Sequence, residues 1–211
     1  MPTFNQTTHR IIKAVLTLFV CTLISACSNS AKFSPLAQNG IILAFGDSLT
    51  AGYGTTPENS YPSVLAQLSG HPVINAGISG ETTEQGLTRF ATTLDEVQPQ
   101  LVILMEGAND ILQNKSQQQA KQNLAAMIHE AQARKIQILL VAVPAKSLFL
   151  ASANFYPELA AENKLVLDNA TIAKLLKTPE LKSDYVHFNQ QGYHLMAERF
   201  YALLKENGAL N

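Results

Sequence analysis

Three short stretches of this 211-residue chain concentrate side chains that can do covalent chemistry. In GDSLTAGYG, residues 46–54, Asp47 and Ser48 follow directly on an apolar run. In EGANDI, residues 106–111, an asparagine amide follows another such run. In DYVHF, residues 184–188, Asp184 and His187 stand three apart. A serine hydroxyl is a weak nucleophile until a base takes its proton, and an imidazole acts as that base when a third group fixes its tautomer. An i, i+3 spacing in a turn or short helix can put the Asp184 carboxylate beside the His187 imidazole. Acyl transfer follows if Ser48 converges with that pair. Taken singly, Ser48 or Asp47 could instead cap a helix beginning near Leu49, the commoner fate of Ser and Asp after a strand.

The elements that must position these residues are legible as an alternation. Short Ile-, Val- and Leu-rich runs at 41–45, 72–76, 101–105 and 136–143, with a weaker one at 164–168, indicate strands buried on both faces, hence a parallel sheet. Between them lie helical patterns. Leu87, Phe90, Leu94 and Val97 share one face, as do Leu124, Met127, Ile128 and Ala131, and a last helix beginning near Asn189 buries Tyr193, Met196, Ala197 and Phe200. The sum is a three-layer α/β/α domain with a five-stranded parallel sheet. In such domains ligands lie outside the carboxyl ends of the strands, where GDSLTAGYG, GISGETT and EGANDI all fall.

The ordered blocks GDSLTAGYG, GISGE, GAND and DYVH resemble those of the SGNH hydrolases, also called GDSL esterases and lipases, over residues 40–205. The similarity is closest to the bacterial periplasmic arylesterase and acyl thioesterase/lysophospholipase subgroup. The resemblance implies a flavodoxin-like fold and assigns Ser48 as nucleophile, His187 as base and Asp184 as the carboxylate that orients it. It also implies an oxyanion hole made by the backbone N–H groups of Ser48 and Gly80 and the side-chain amide of Asn109. An acyl ester or lysophospholipid is the implied substrate. Asp47 and Asp110 are expected to cap and brace, with Asn75 bracing the second loop. The G-x-S-x-G elbow of the ordinary α/β-hydrolases is absent around Ser48.

Residues 1–26 read as an export signal, with His9, Arg10 and Lys13 preceding an apolar stretch over 14–24 that is short for a membrane span. ISAC, residues 24–27, resembles the lipobox of bacterial lipoproteins, making Cys27 the lipidated anchor of a periplasmic protein; ordinary cleavage near residue 26 is the alternative. Residues 27–39 are then the anchor and a small polar tether, and 40–211 the single hydrolase domain. Cys21 and Cys27 are the two cysteines, so no internal disulfide is expected.

A formal net charge of −1 gives no basic field for nucleic acid. No H-x-x-x-H or C-x-x-C spacing occurs, so neither metal nor other cofactor is expected. The apolar segment 147–156 follows the fourth strand, and Leu148, Phe149 and Phe155 are expected to wall an acyl site. Two rival functions fit the same residues: a carbohydrate acetylesterase, and a lipoprotein that only holds a ligand.

Overall fold

A computed structural model describes residues 32–145 and 152–211. Five strands, β1 Ile42–Gly46, β2 Val73–Gly77, β3 Leu101–Met105, β4 Gln137–Val141 and β5 Val166–Asp168, form one sheet in the order β2-β1-β3-β4-β5. Every pairing is parallel. The continuous apolar runs account for this: β1 and β3 are buried at every position and need helices on both faces.

The helices among the described residues are α1 Ser48–Ala51, α2 Tyr61–Ser69, α3 Thr83–Val97, α4 Ala108–Leu112, α5 Gln117–Ala133, α6 Phe155–Asn163, α7 Thr171–Leu176 and α8 Gln190–Glu206. Their ends follow local chemistry. Thr82 and Gln85 form a reciprocal capping box at the start of α3, and the Asn189 side chain accepts the Gly192 N–H at the start of α8. On α8, Tyr193, Met196, Ala197 and Phe200 are fully buried, as their spacing predicts, with Phe200 edge-on to Tyr61 of α2. Phe90 of α3 meets Phe45 of β1 in the same edge-on manner.

The sequence expectation fails at two places. Residues 72–76 read as a fully buried strand, yet Ile74 and Asn75 of β2 are exposed, because β2 is an edge strand paired only with β1. The expected tether also becomes part of the domain from Phe33 onward. The Phe33 and Leu36 N–H groups donate to the carbonyls of Asn207 and Ala209. Gln137 both accepts from Ser34 N–H and donates to its carbonyl, and Gln100 accepts from Ala37 N–H. Leu36 is buried in the core, so the polar composition of this segment concealed an apolar anchor point.

Gly46 at the end of β1 stands in register with Gly77 of β2 and Met105 of β3. The chain leaves all three strands at one level. Strand order reverses between β1 and β3, and the loops carrying Ser48, Gly80 and Asn109 open side by side at that switch point.

Candidate active site

Asp47, not Ser48, caps α1: its Oδ1 accepts the Leu49 N–H at 3.0 Å. The Ser48 hydroxyl is thereby left for another partner, and its Oγ lies 2.9 Å from His187 Nε2. His187 Nδ1 lies 2.7 Å from Asp184 Oδ2. The other Asp184 oxygen accepts the N–H groups of Val186 and His187, both at 2.9 Å. Burial is the largest single influence on the Asp184 carboxyl and raises it, but the Val186 N–H and the His187 imidazole and N–H together outweigh it and hold the pKa below the usual value. An ionised carboxylate only accepts, so Nδ1 carries the proton and Nε2 accepts from the serine hydroxyl. This tautomer can take the Ser48 proton.

The loop after β2 is pinned by an Ile78 N–H to Gly46 carbonyl bond of 2.9 Å. Gly80 there has φ +83°, a left-handed conformation, and exposes its backbone to the cleft. Asn109, in the first turn of α4, donates from Nδ2 to the Glu81 carbonyl at 2.9 Å, with Asp47 Oδ2 at 3.4 Å. Its amide therefore bridges the loops after β1 and β2. Asp110 accepts the N–H and hydroxyl of Thr83 at 2.8 and 2.7 Å, and Asn75 Oδ1 accepts the Gly77 N–H. Both are bracing contacts, as expected.

Beneath these loops lies an acidic cluster that the sequence reading missed. Asp47 is 1% exposed, and burial pushes its carboxyl up to about 6; Leu49 N–H and His187 oppose the shift, while Glu81 and Asp110 add to it. Glu106 is fully buried with neither carboxyl oxygen hydrogen-bonded, and burial, then Asp47 and Glu81, raise its pKa well above the usual value. Glu81 is paired with Arg89, whose guanidinium lies 3.9 Å from the Phe45 ring centroid. A glutamate ending the run LVILM was the available signal.

A cleft of about 630 Å³ opens over Ser48, Gly80, Asn109 and His187. Its apolar walls include Leu49, Ile111, Leu112, Val143, Ile172 and Leu176. The walls thus come from α1, α4, the segment after β4 and α7. Of the expected wall residues, Leu148 and Phe149 lie outside the described residues, as does Cys27. Phe155 is corrected: it begins α6, is buried in the core with its ring 4.4 Å from that of Tyr156, and does not line the cleft. Tyr156 pins that turn of helix inward by donating its hydroxyl to the Glu106 carbonyl at 2.6 Å. Among the described residues no group of three or more His, Cys, Asp or Glu side chains is arranged to hold a metal.

Comparison with known proteins adds context to this geometry. The model of the "GDSL-like Lipase/Acylhydrolase family" matches residues 44–195. The chain is 31% identical over 194 residues to an arylesterase of Vibrio mimicus, covering 87% of this chain and 92% of the relative. It is 30% identical over 165 residues to thioesterase 1/protease 1/lysophospholipase L1 of Escherichia coli K12, covering 74% and 79% respectively. The crystal structure of the psychrotrophic esterase EstA from Pseudoalteromonas sp. superposes with a TM-score of 0.72 at 25% identity, covering 80% of this chain and 98% of that one.

Proposed function

The chain belongs to the GDSL-like lipase/acylhydrolase family and acts on ester bonds, and on that premise we propose that it is a serine esterase working through a covalent acyl-enzyme. The observation that carries this reading is the Asp184–His187–Ser48 relay, with contacts of 2.7 and 2.9 Å. Ser48 Oγ attacks the acyl carbonyl while its proton passes to His187 Nε2. The tetrahedral intermediate collapses, and the same proton goes to the departing alkoxide or thiolate. Water then surrenders a proton to Nε2 and attacks the acyl carbon, releasing the acid and restoring Ser48. Asp184 stays ionised and supports the imidazolium in both halves of the cycle.

The oxyanion is assigned to the Ser48 N–H, the Gly80 N–H and the Asn109 amide. The tethering of one Asn109 Nδ2 hydrogen to the Glu81 carbonyl supports this assignment: it fixes the amide, and the second hydrogen, only loosely engaged with Asp47 at 3.4 Å, is the one to serve the oxyanion. An acyl chain is assigned to the apolar cleft, with carboxylic esters, acyl thioesters and lysophospholipids as the substrate classes. Cys27 is assigned as a lipid anchor that holds the protein to a membrane facing the periplasm, from its ISAC context.

Ser48→Ala tests the reading. It should abolish p-nitrophenyl ester turnover and fluorophosphonate labelling while leaving the urea midpoint within error of wild type. A folded variant with undiminished turnover overturns the assignment.

A further inference from the structure

We infer that Tyr53 is a positioning residue for His187: its ring holds the imidazole in the orientation that reaches both Asp184 and Ser48 and supports the positive charge gained in mid-reaction. The two ring centroids are 4.4 Å apart with planes tilted by 44°. The inference rests on the reading of His187 as the base, and extends it to a residue outside the triad and the oxyanion hole.

The need for such a support is visible in the triad itself. The Asp184 side chain is 42% exposed and that of His187 is 18% exposed. The Val186 and His187 N–H groups hold Asp184 in place, but a pair this open to water leaves the imidazole room to turn about its one contact with that carboxylate. Asp184 fixes one ring nitrogen, yet the imidazole plane must also aim Nε2 at Ser48. The Tyr53 ring packs against the imidazole at a tilt and limits its swing. An aromatic face also attracts a cation placed over it, so the contact strengthens as the imidazole becomes imidazolium. That gain falls in the transition state rather than in the resting enzyme.

Tyr53 is itself held from several sides. Its N–H donates to the Ser48 carbonyl at 3.0 Å, and its carbonyl accepts the buried Tyr193 hydroxyl at 2.8 Å. The following residue, Gly54, has φ +91°, and a Cβ there would fall 2.2 Å from Ser183 Oγ and 2.9 Å from the Phe188 carbonyl. The turn carrying Tyr53 therefore packs directly on the loop carrying Asp184 and His187. One nine-residue motif thus supplies the proposed nucleophile at Ser48 and the support of its base at Tyr53. The competing account makes Tyr53 a wall for substrate, since it also lines the cleft.

Kinetics of the full chain separate the two. Tyr53→Leu keeps the reach of the side chain but removes its π face, and should lower kcat about tenfold, within the range of a cation–π contact. The loss should be equal for acetate and octanoate esters, with KM within about twofold of wild type, and the rate of fluorophosphonate labelling should fall in parallel. Tyr53→Phe should restore all three. Tyr53 is 54% exposed, so folding is not at stake, and urea midpoints verify this. A Leu variant with unchanged kcat, a loss confined to KM for octanoate, or a Phe variant as impaired as Leu overturns the inference. His187→Ala run alongside isolates the underlying reading: if it keeps wild-type labelling, the base assignment fails, whereas its loss beside an unaffected Tyr53→Leu sinks only the role of Tyr53.

Discussion

Replacing Asp47 by asparagine should make the protein more stable at neutral pH relative to wild type than it does in acid, and the structure sets the size of that change. The Asp47 carboxyl is 1% exposed, and burial raises its pKa from 3.8 to about 6. Between those values the folded protein keeps a proton that the unfolded chain has already released. Stability therefore falls as pH rises through this window, being fully present below 3.8 and lost on passing about 6. A shift of about two units, at about 1.36 kcal/mol each, corresponds to about 3 kcal/mol.

Asparagine carries no charge and has no such window, while its Oδ1 can still cap the Leu49 N–H. Its own amide would face Asn109 Nδ2, now 3.4 Å from an Asp47 oxygen, and two donors in apposition cost about 1 kcal/mol at every pH. The stability difference, variant minus wild type, should thus start slightly below zero near pH 4 and climb by about 3 kcal/mol by pH 8. Urea unfolding at unit steps of pH, with equal m-values, measures it. A difference that stays flat across that range refutes the reasoning, because it would mean that the buried carboxyl does not titrate in the window its surroundings dictate.

Asn109→Ala should lower kcat by about 10²–10³-fold, the usual loss for one oxyanion donor, while the lost bond to the Glu81 carbonyl lowers the urea midpoint by an amount equivalent to about 1–3 kcal/mol. Asp184→Asn should cost about 10²–10⁴-fold in steady-state turnover, since an amide cannot stabilise the imidazolium and favours the wrong tautomer. In wild type, kcat/KM for p-nitrophenyl esters should rise about fourfold per added carbon while the chain still finds apolar wall, from about 0.8 kcal/mol per buried methylene; Ile172→Ala should flatten that slope and spare acetate. Cys27→Ser should move the protein from the membrane fraction to the soluble fraction on cell fractionation, because lipid chains are the whole of the proposed attachment.

The strands were readable to within about two residues because most of them are covered on both faces and need unbroken apolar runs, and β3 coincides with LVILM. The partners of Ser48 were readable only through the order of the motif blocks. Local sequence contains no information that two residues 139 positions apart fold back to a 2.9 Å contact. The cleft walls were harder. Apolar residues near a strand end can turn inward or outward, and a helix start decides which: Phe155 opens α6 and faces the core, while Ile172 and Leu176 of the short helix α7 face the cleft. Tyr53 escaped notice because its importance lies in a ring contact between distant loops. Glu106 was hidden in plain view, a carboxyl whose burial depends on the packing of α3 and α5 rather than on its neighbours in sequence.

The pairing of Phe33 with Asn207 and of Leu36 with Ala209 sets the two ends of the described domain side by side. The first of these ends sits beneath the amino ends of β3 and β4, bonded to Gln100 and Gln137, and brings the other with it, while the cleft opens at the carboxyl ends. The domain is in effect a nearly closed ring with its seam on the floor. A short linker joining the segment after Leu210 to Phe33 would close that ring, and new ends could then be cut in a surface loop remote from the cleft. The same seam makes either end a safe handle: a bead, a carrier domain or a lipid attached there grips the protein from below and leaves the mouth of the cleft open to solvent.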